Sequence, residues 1–130
     1  IVTEKSILES IDSILSCFKG NIKNIFENLE KNGSEIAVKY LKIMKKKCPM
    51  SLAVTIELLN EGSKKELKQC LEMEYKLSQN MVYRNDFDEG IDSVLISKNN
   101  NPMWDPSSIN DINTNDVNNL IKLDNESLKI

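Results

Sequence analysis

The stretch Asp86–Pro106, DFDEGIDSVLISKNNNPMWDP, decides how this chain is read. A helix-start signal comes first, then a short apolar run, then Lys98, then a polar turn in which Trp104 sits between Pro102 and Pro106. Asp86 and Glu89 stand at capping-box spacing, with Asp in place of the usual Ser or Thr. A carboxylate at the cap accepts from free backbone N–H groups, and a Glu three residues on reaches back to the cap. The segment therefore reads as a helix from Phe87 to about Ile96, followed by an extended strap.

Upstream of it the apolar residues recur at helical spacing. Ile7, Leu8, Ile11, Ile14, Leu15 and Phe18 form one stripe, stopped by Gly20-Asn21. Ile22, Ile25, Phe26 and Leu29 form a second, with Asn21 to cap it and Gly33 to end it. Ile36, Ala37, Tyr40, Leu41 and Met44 form a third, capped by Ser34. Cys48-Pro49 breaks the chain and opens a fourth helix, since proline suits a first turn. Gly62 ends that helix. Ser63 and Glu66 have capping-box spacing for the longest helix, about Lys64 to Tyr83. Its stripe is Leu67, Cys70, Leu71, Glu74, Leu77, Ser78 and Met81, with Glu74 a polar intruder expected to be partly buried. After Lys98, Asn and Asp become frequent, and Thr114-Asn115-Asp116 caps a short helix through Val117, Leu120 and Ile121. Leu123 to Ile130 reads as a frayed tail.

The fold class is mainly α, with about six to seven helices and an extended C-terminal strap. Residues 1–98 form the helical region; residues 99–130 form the strap with its short helix, in the same domain. Four glycines and three prolines in 130 residues suit helices better than strands and turns. The chain opens on Ile1 rather than Met and reads as a piece of a longer polypeptide.

Composition excludes several chemistries. The chain has no histidine, so neither a Ser-His-Asp nor a Cys-His arrangement can form within it. Cys17, Cys48 and Cys70 are odd in number and widely spaced, which disfavours a zinc site or a disulfide framework and fits reduced thiols in a reducing intracellular compartment. Glycines are scattered, so there is no phosphate-cradling loop. A net charge of −3 argues against a dedicated nucleic-acid partner, and the densest basic run, Lys45-Lys46-Lys47, reads as a solvated helix end. No apolar run is long enough to span a bilayer, so no membrane partner is expected.

Glu72, Glu74 and Glu89 are the carboxylates to weigh as acid or base. A structural ion pair explains Glu74 more simply, and capping explains Glu89. Trp104 reads as the anchor of the strap, because indole buries a large area and its N–H can find a carbonyl.

The order Asp-Phe-x-Glu-Gly, apolar run, Lys, Pro-x-Trp-x-Pro resembles the C-terminal tail of the crotonase (enoyl-CoA hydratase/isomerase) superfamily. The resemblance extends upstream through Ser16-Cys17-Phe18, Ile25 to Leu29, Gly33-Ser34, Pro49-x-Ser51-Leu52, Glu61-Gly62-Ser63 and Met73-Glu74-Tyr75-x-Leu77-Ser78-Gln79. It is nearest to the branch that hydrolyses a small branched acyl-CoA thioester in valine breakdown. It implies a mitochondrial enzyme with acyl-coenzyme A as substrate and no covalently bound cofactor. In that family the oxyanion hole and the catalytic carboxylates lie in an N-terminal core, which is absent from this chain. The resemblance thus implies no catalytic residue and no metal here, and inactivity of the chain alone. The implied partner is that core, on the same polypeptide or a separate chain. Related enzymes often assemble through this part, which makes a homo-oligomer a further candidate. Lys98 falls near the position where relatives place a cation on the 3′-phosphate of coenzyme A, at slightly longer spacing. A solvated lysine at a helix end is the plainer account. The alternative to an enzyme is a non-catalytic crotonase-like structural subunit, for example of a mitochondrial ribosome.

Overall fold

Most of the helices begin where the chain supplies a side-chain acceptor, or a proline, for the N–H groups that no preceding turn can satisfy. The computed structural model describes residues 10–122, in which seven α-helices, a π turn and a 3-10 turn occur without any strand. The chain divides into two compact units between Lys47 and Cys48.

The first unit contains α1 (Ile11–Cys17), α2 (Ile22–Asn32) and α3 (Glu35–Met44). At the start of α2, Asn24 N–H donates to Asn21 Oδ1 at 3.0 Å and Asn21 N–H donates to Asn24 Oδ1 at 3.1 Å. Gly20 makes room for this reciprocal cap: its φ is +83°, and a Cβ there would lie 2.6 Å from Asn24 Oδ1. Gly33, at φ +63°, closes α2 in the left-handed conformation, and the Ser34 hydroxyl caps α3 by accepting from Ala37 N–H. Ile22, Ile25, Phe26 and Leu29 bury one face of α2, which packs against α1 and α3. Phe18 and Tyr40 meet edge to face at 6.2 Å. The stripe expected on α1 is corrected: Ile11, Leu15 and Phe18 are exposed, and Cys17 is the buried residue. A helix of only seven residues turns a single narrow face to α2. Ile7 and Leu8 lie outside the described residues. Lys45, Lys46 and Lys47 are exposed at the end of α3, with Lys45 Nζ 3.1 Å from Glu30 Oε1.

The second unit contains α4 (Pro49–Gly62), α5 (Leu67–Val82), α6 (Asn85–Ile91), a π turn (Asp92–Ile96), a 3-10 turn (Ile109–Asp111) and α7 (Thr114–Ile121). α4 packs against α5 and α7, and α5 also meets α6 and α7. Their common core is Met50, Ala53, Val54, Met73, Leu77, Ile112, Val117 and Ile121. Asn80 Nδ2 donates to the Leu120 carbonyl at 2.8 Å, which satisfies an acceptor that the end of α7 leaves open.

Three local expectations are corrected. Ser63 does not cap the longest helix; its hydroxyl donates backwards to the Asn60 carbonyl at 2.8 Å. Glu66 is the cap, with its N–H donating to Gln69 Oε1 at 3.1 Å, so α5 starts at Leu67. Glu74 is exposed rather than partly buried, because Met73 and Leu77 face the core. Thr114 is inside α7, whose cap is Asn113, accepting from Asn115 N–H at 2.8 Å. The tail from Leu123 to Ile130 lies outside the described residues.

Leu29 is fully buried between its helices. Leu29→Ala should destabilise the chain by about 2–5 kcal/mol in urea unfolding, the range for a core cavity. A loss well below that range would mean the neighbouring side chains collapse into the gap.

Candidate functional site

The strap expected after α6 folds back onto it, and two carboxylates of α6 receive it. Asp86 Oδ1 accepts from Asp105 N–H at 2.8 Å, and Glu89 Oε1 accepts from Met103 N–H at 2.8 Å. The spacing that reads as a capping box therefore serves a different partner. The cap position of α6 is Arg84, and neither carboxylate completes a box on the helix itself. Asp86 is only 6% exposed. Its Oδ2 accepts from the Cys48 thiol at 3.4 Å and lies 3.6 Å from Arg84 Nη2. The same Nη2 donates to the Asp105 carbonyl at 3.1 Å, while the buried Arg84 Nε has no hydrogen-bond partner among the described residues. One carboxylate thus links the start of α4, the start of α6 and the strap.

Trp104 lies between the two bonded residues, and its six-membered ring rests on Gly90. A Cβ at Gly90 would stand 3.4 Å from Trp104 Cη2. The Trp104 ring packs on α6, and the lack of a side chain at Gly90 lets it approach the helix. Beyond Gly90 the helix widens into the π turn, closed by Ser97 N–H donating to the Asp92 carbonyl at 2.8 Å. Ser93 is fully buried, and its carbonyl accepts from Asn100 N–H at 2.9 Å. Lys98 and Asn100 are both left-handed, at φ +54° and +53°. Their φ values reverse the chain and set the exposed Lys98 at the bend.

A groove of about 400 Å³ opens beside this arrangement. Met81, Phe87, Ile91, Val94, Leu95 and Trp104 give it apolar walls; Cys48, Ser51 and Asp86 give it a polar end. Burial pushes the Cys48 thiol up from its ordinary value, and the Asp86 charge adds to this, against hydrogen bonding from Ser51. The thiol is therefore a hydrogen-bond donor rather than a ready nucleophile. Asp86 has its lone pairs engaged by the strap and Cys48. The groove offers an incoming group apolar surface, and no lysine or arginine lines it among the described residues.

A second cavity, about 320 Å³, lies among Glu57, Glu61, Lys65, Met73, Asn118, Ile121 and Lys122. Its charges answer one another. The Lys64 ammonium, hydrogen-bonded to Glu61 at 3.1 Å, holds that carboxyl below the usual range, and Lys65 adds to the effect at 3.8 Å.

Of the residues weighed from sequence, Glu89 and Trp104 come together at the strap and Lys98 stands at its start. Glu72 and Glu74 take no part in this arrangement. Asp86 and Cys48 were read as a helix cap and a break, and their pairing, 38 residues apart, has no local signal.

Comparison with known proteins gives the class. The family model for enoyl-CoA hydratase/isomerase matches residues 2–121. The chain belongs to that family. It is 43% identical over 115 residues to the mitochondrial 3-hydroxyisobutyryl-CoA hydrolase of Homo sapiens, which covers 88% of this chain and 30% of that protein. It is 41% identical over 122 residues to the Rattus norvegicus protein of the same name, covering 92% of this chain and 32% of that one. The chain thus spans about a third of the length of these relatives. A crystal structure of a carnitinyl-CoA dehydratase from Mycobacterium thermoresistibile superposes with a TM-score of 0.86 over 95% of this chain and 36% of its own, at 24% identity, and shows the fold.

The thiol gives a pH prediction. Its folded pKa is raised, so the folded state favours the protonated form; stability is intact below the ordinary value of 9.0 and falls as pH rises past it. Urea midpoints measured from pH 7 to 10 should fall less steeply in Cys48→Ala than in the parent chain. Equal slopes would show that Cys48 is solvated in the folded state.

Proposed function

We propose that this chain is the C-terminal helical region of a 3-hydroxyisobutyryl-CoA hydrolase-like enzyme. The supporting observation is identity near 40% to such hydrolases over about nine-tenths of the chain. In this reading the rest of the enzyme supplies the oxyanion hole, whose backbone N–H groups stabilise charge developing on the thioester oxygen. It also supplies the carboxylate that acts as base or nucleophile. The helical region and the strap form one domain that covers this core and helps close the acyl pocket. The enzyme acts in mitochondria on a small branched acyl-CoA.

Two apolar faces of the second unit fit the covering role. Leu67, Leu71, Tyr75 and Val82 are exposed along α5. Tyr83 is exposed just after α5, and Phe87, Val94, Leu95 and Ile96 are exposed along α6 and the π turn. Large exposed apolar area marks an interaction surface. The missing two-thirds of the relatives' length is the partner this reading assigns to it. Lys98 takes the 3′-phosphate of coenzyme A, for which a lysine is a compact point charge.

This chain alone should not hydrolyse 3-hydroxyisobutyryl-CoA, and adding the N-terminal core should restore turnover. Activity of the core that does not change on adding this chain would count against the covering role. In the reconstituted enzyme, Lys98→Ala should raise KM for 3-hydroxyisobutyryl-CoA with little change in kcat. It should leave KM for the 3′-dephospho analogue unchanged. Equal effects on both substrates would remove Lys98 from the phosphate site.

A further inference from the structure

The strap is fastened to α6 in a fixed register. Along the strap the bonded residues advance from Met103 to Asp105, while along α6 their acceptors retreat from Glu89 to Asp86. The strap therefore runs antiparallel to the helix. Both N–H groups point at α6, and the Trp104 ring, between them, lies on Gly90 at the groove wall. The Asp86 bond is partly buried and the Glu89 bond is exposed. Each is a backbone N–H on a carboxylate, stronger than a neutral pair, and Asp86 is itself buried and held by Cys48 and Arg84.

We propose that Asp86 and Glu89 are positioning residues that fix Trp104 as the wall of the groove, so that the groove's width is set from α6. The inference deepens the acyl-CoA reading and rests on it for the groove's purpose: a wall held this way shapes the space for an uncharged apolar group. Phe87, on the same helix turn as the carboxylates, also lines the groove. The side-chain bonds of Asn99 and Asn100 stay within the bend, and Arg84 adds one further bond from outside, to the Asp105 carbonyl at 3.1 Å.

Trp104 is the only tryptophan in the chain, so its fluorescence reports the wall directly. In the 130-residue chain, Glu89→Ala should speed amide hydrogen exchange at Met103 about tenfold, the effect of losing one charge-assisted bond. It should also red-shift Trp104 emission and increase acrylamide quenching. Glu89→Gln keeps an acceptor oxygen and should restore all three readouts. Asp86→Ala combined with Glu89→Ala should enlarge the changes and release Asp105 as well, with far-UV helix content retained. Unchanged emission and quenching in the double variant, with the helices intact, would overturn the proposal and leave ring packing on Gly90 and the Arg84 bond to the Asp105 carbonyl as the anchors. If the double variant loses its helices, Glu89→Ala decides: an unaltered Trp104 there overturns the proposal too. These readouts do not depend on thioester turnover, so failure of the clamp and failure of the hydrolase reading are told apart.

Discussion

The buried Asp86 carboxylate is the constraint on which the second unit's functional face depends. A charge out of water is costly unless hydrogen bonds and a counter-charge meet it. Here the compensation comes from three places in sequence: the Cys48 thiol at the start of α4, Arg84 just before α6, and Asp105 N–H on the strap. Satisfying one group thus fixes the relative placement of three segments that share no secondary structure. Losing a single hydrogen-bond partner leaves the charge partly unmet, at a cost of roughly 1.5–3 kcal/mol for a bond to a charged group. The raised pKa of Cys48 follows from the same arrangement, since a thiol buried beside a carboxylate is held as a donor.

Much of the fold was legible because its signals are local. Asn21, Ser34 and Pro49 each stand at the start of a helix, and Gly33 ends one. What sequence could not reveal was the recipient of a polar group when two recipients are chemically equivalent. An Asp followed three residues later by a Glu can satisfy its own helix or another segment's N–H groups, and both look alike in one dimension. Ser63 and Glu66 show the same ambiguity: both can cap, and the backward bond from Ser63 to Asn60 lets α4 finish first, moving the cap to Glu66. The link between Cys48 and Asp86 needed the fold, because only packing brings them together.

Periodicity likewise gave apolar stripes without saying which side faces inward. On α5 the expected stripe ran through Leu67, Leu71 and Leu77; Leu77 is buried as expected, but it is joined by Met73 from outside the stripe while Leu67 is 75% exposed. A helix with apolar residues on two sides can bury either, and the choice falls to whichever neighbour is present. α7 and α4 meet the side carrying Met73. The other side is left apolar, and in the proposed hydrolase it is available to the core. An apolar residue exposed here is consistent with its sequence once the partner surface is counted.

The bend after α6 completes the argument. To run antiparallel to α6 the chain must reverse within a few residues, and it does so through the π turn and two left-handed residues, Lys98 and Asn100. A left-handed non-glycine residue costs roughly 1–2 kcal/mol. Asparagine tolerates that conformation well, and Asn100 also donates to the Lys98 carbonyl at 3.2 Å. Lysine has no such local compensation, and glycine would make the turn more easily. The strain is offset downstream, where the reversed strap reaches the two carboxylates and Trp104 reaches Gly90. Keeping a lysine at the bend sets an ammonium at the edge of the groove's helix, on a backbone held at both ends.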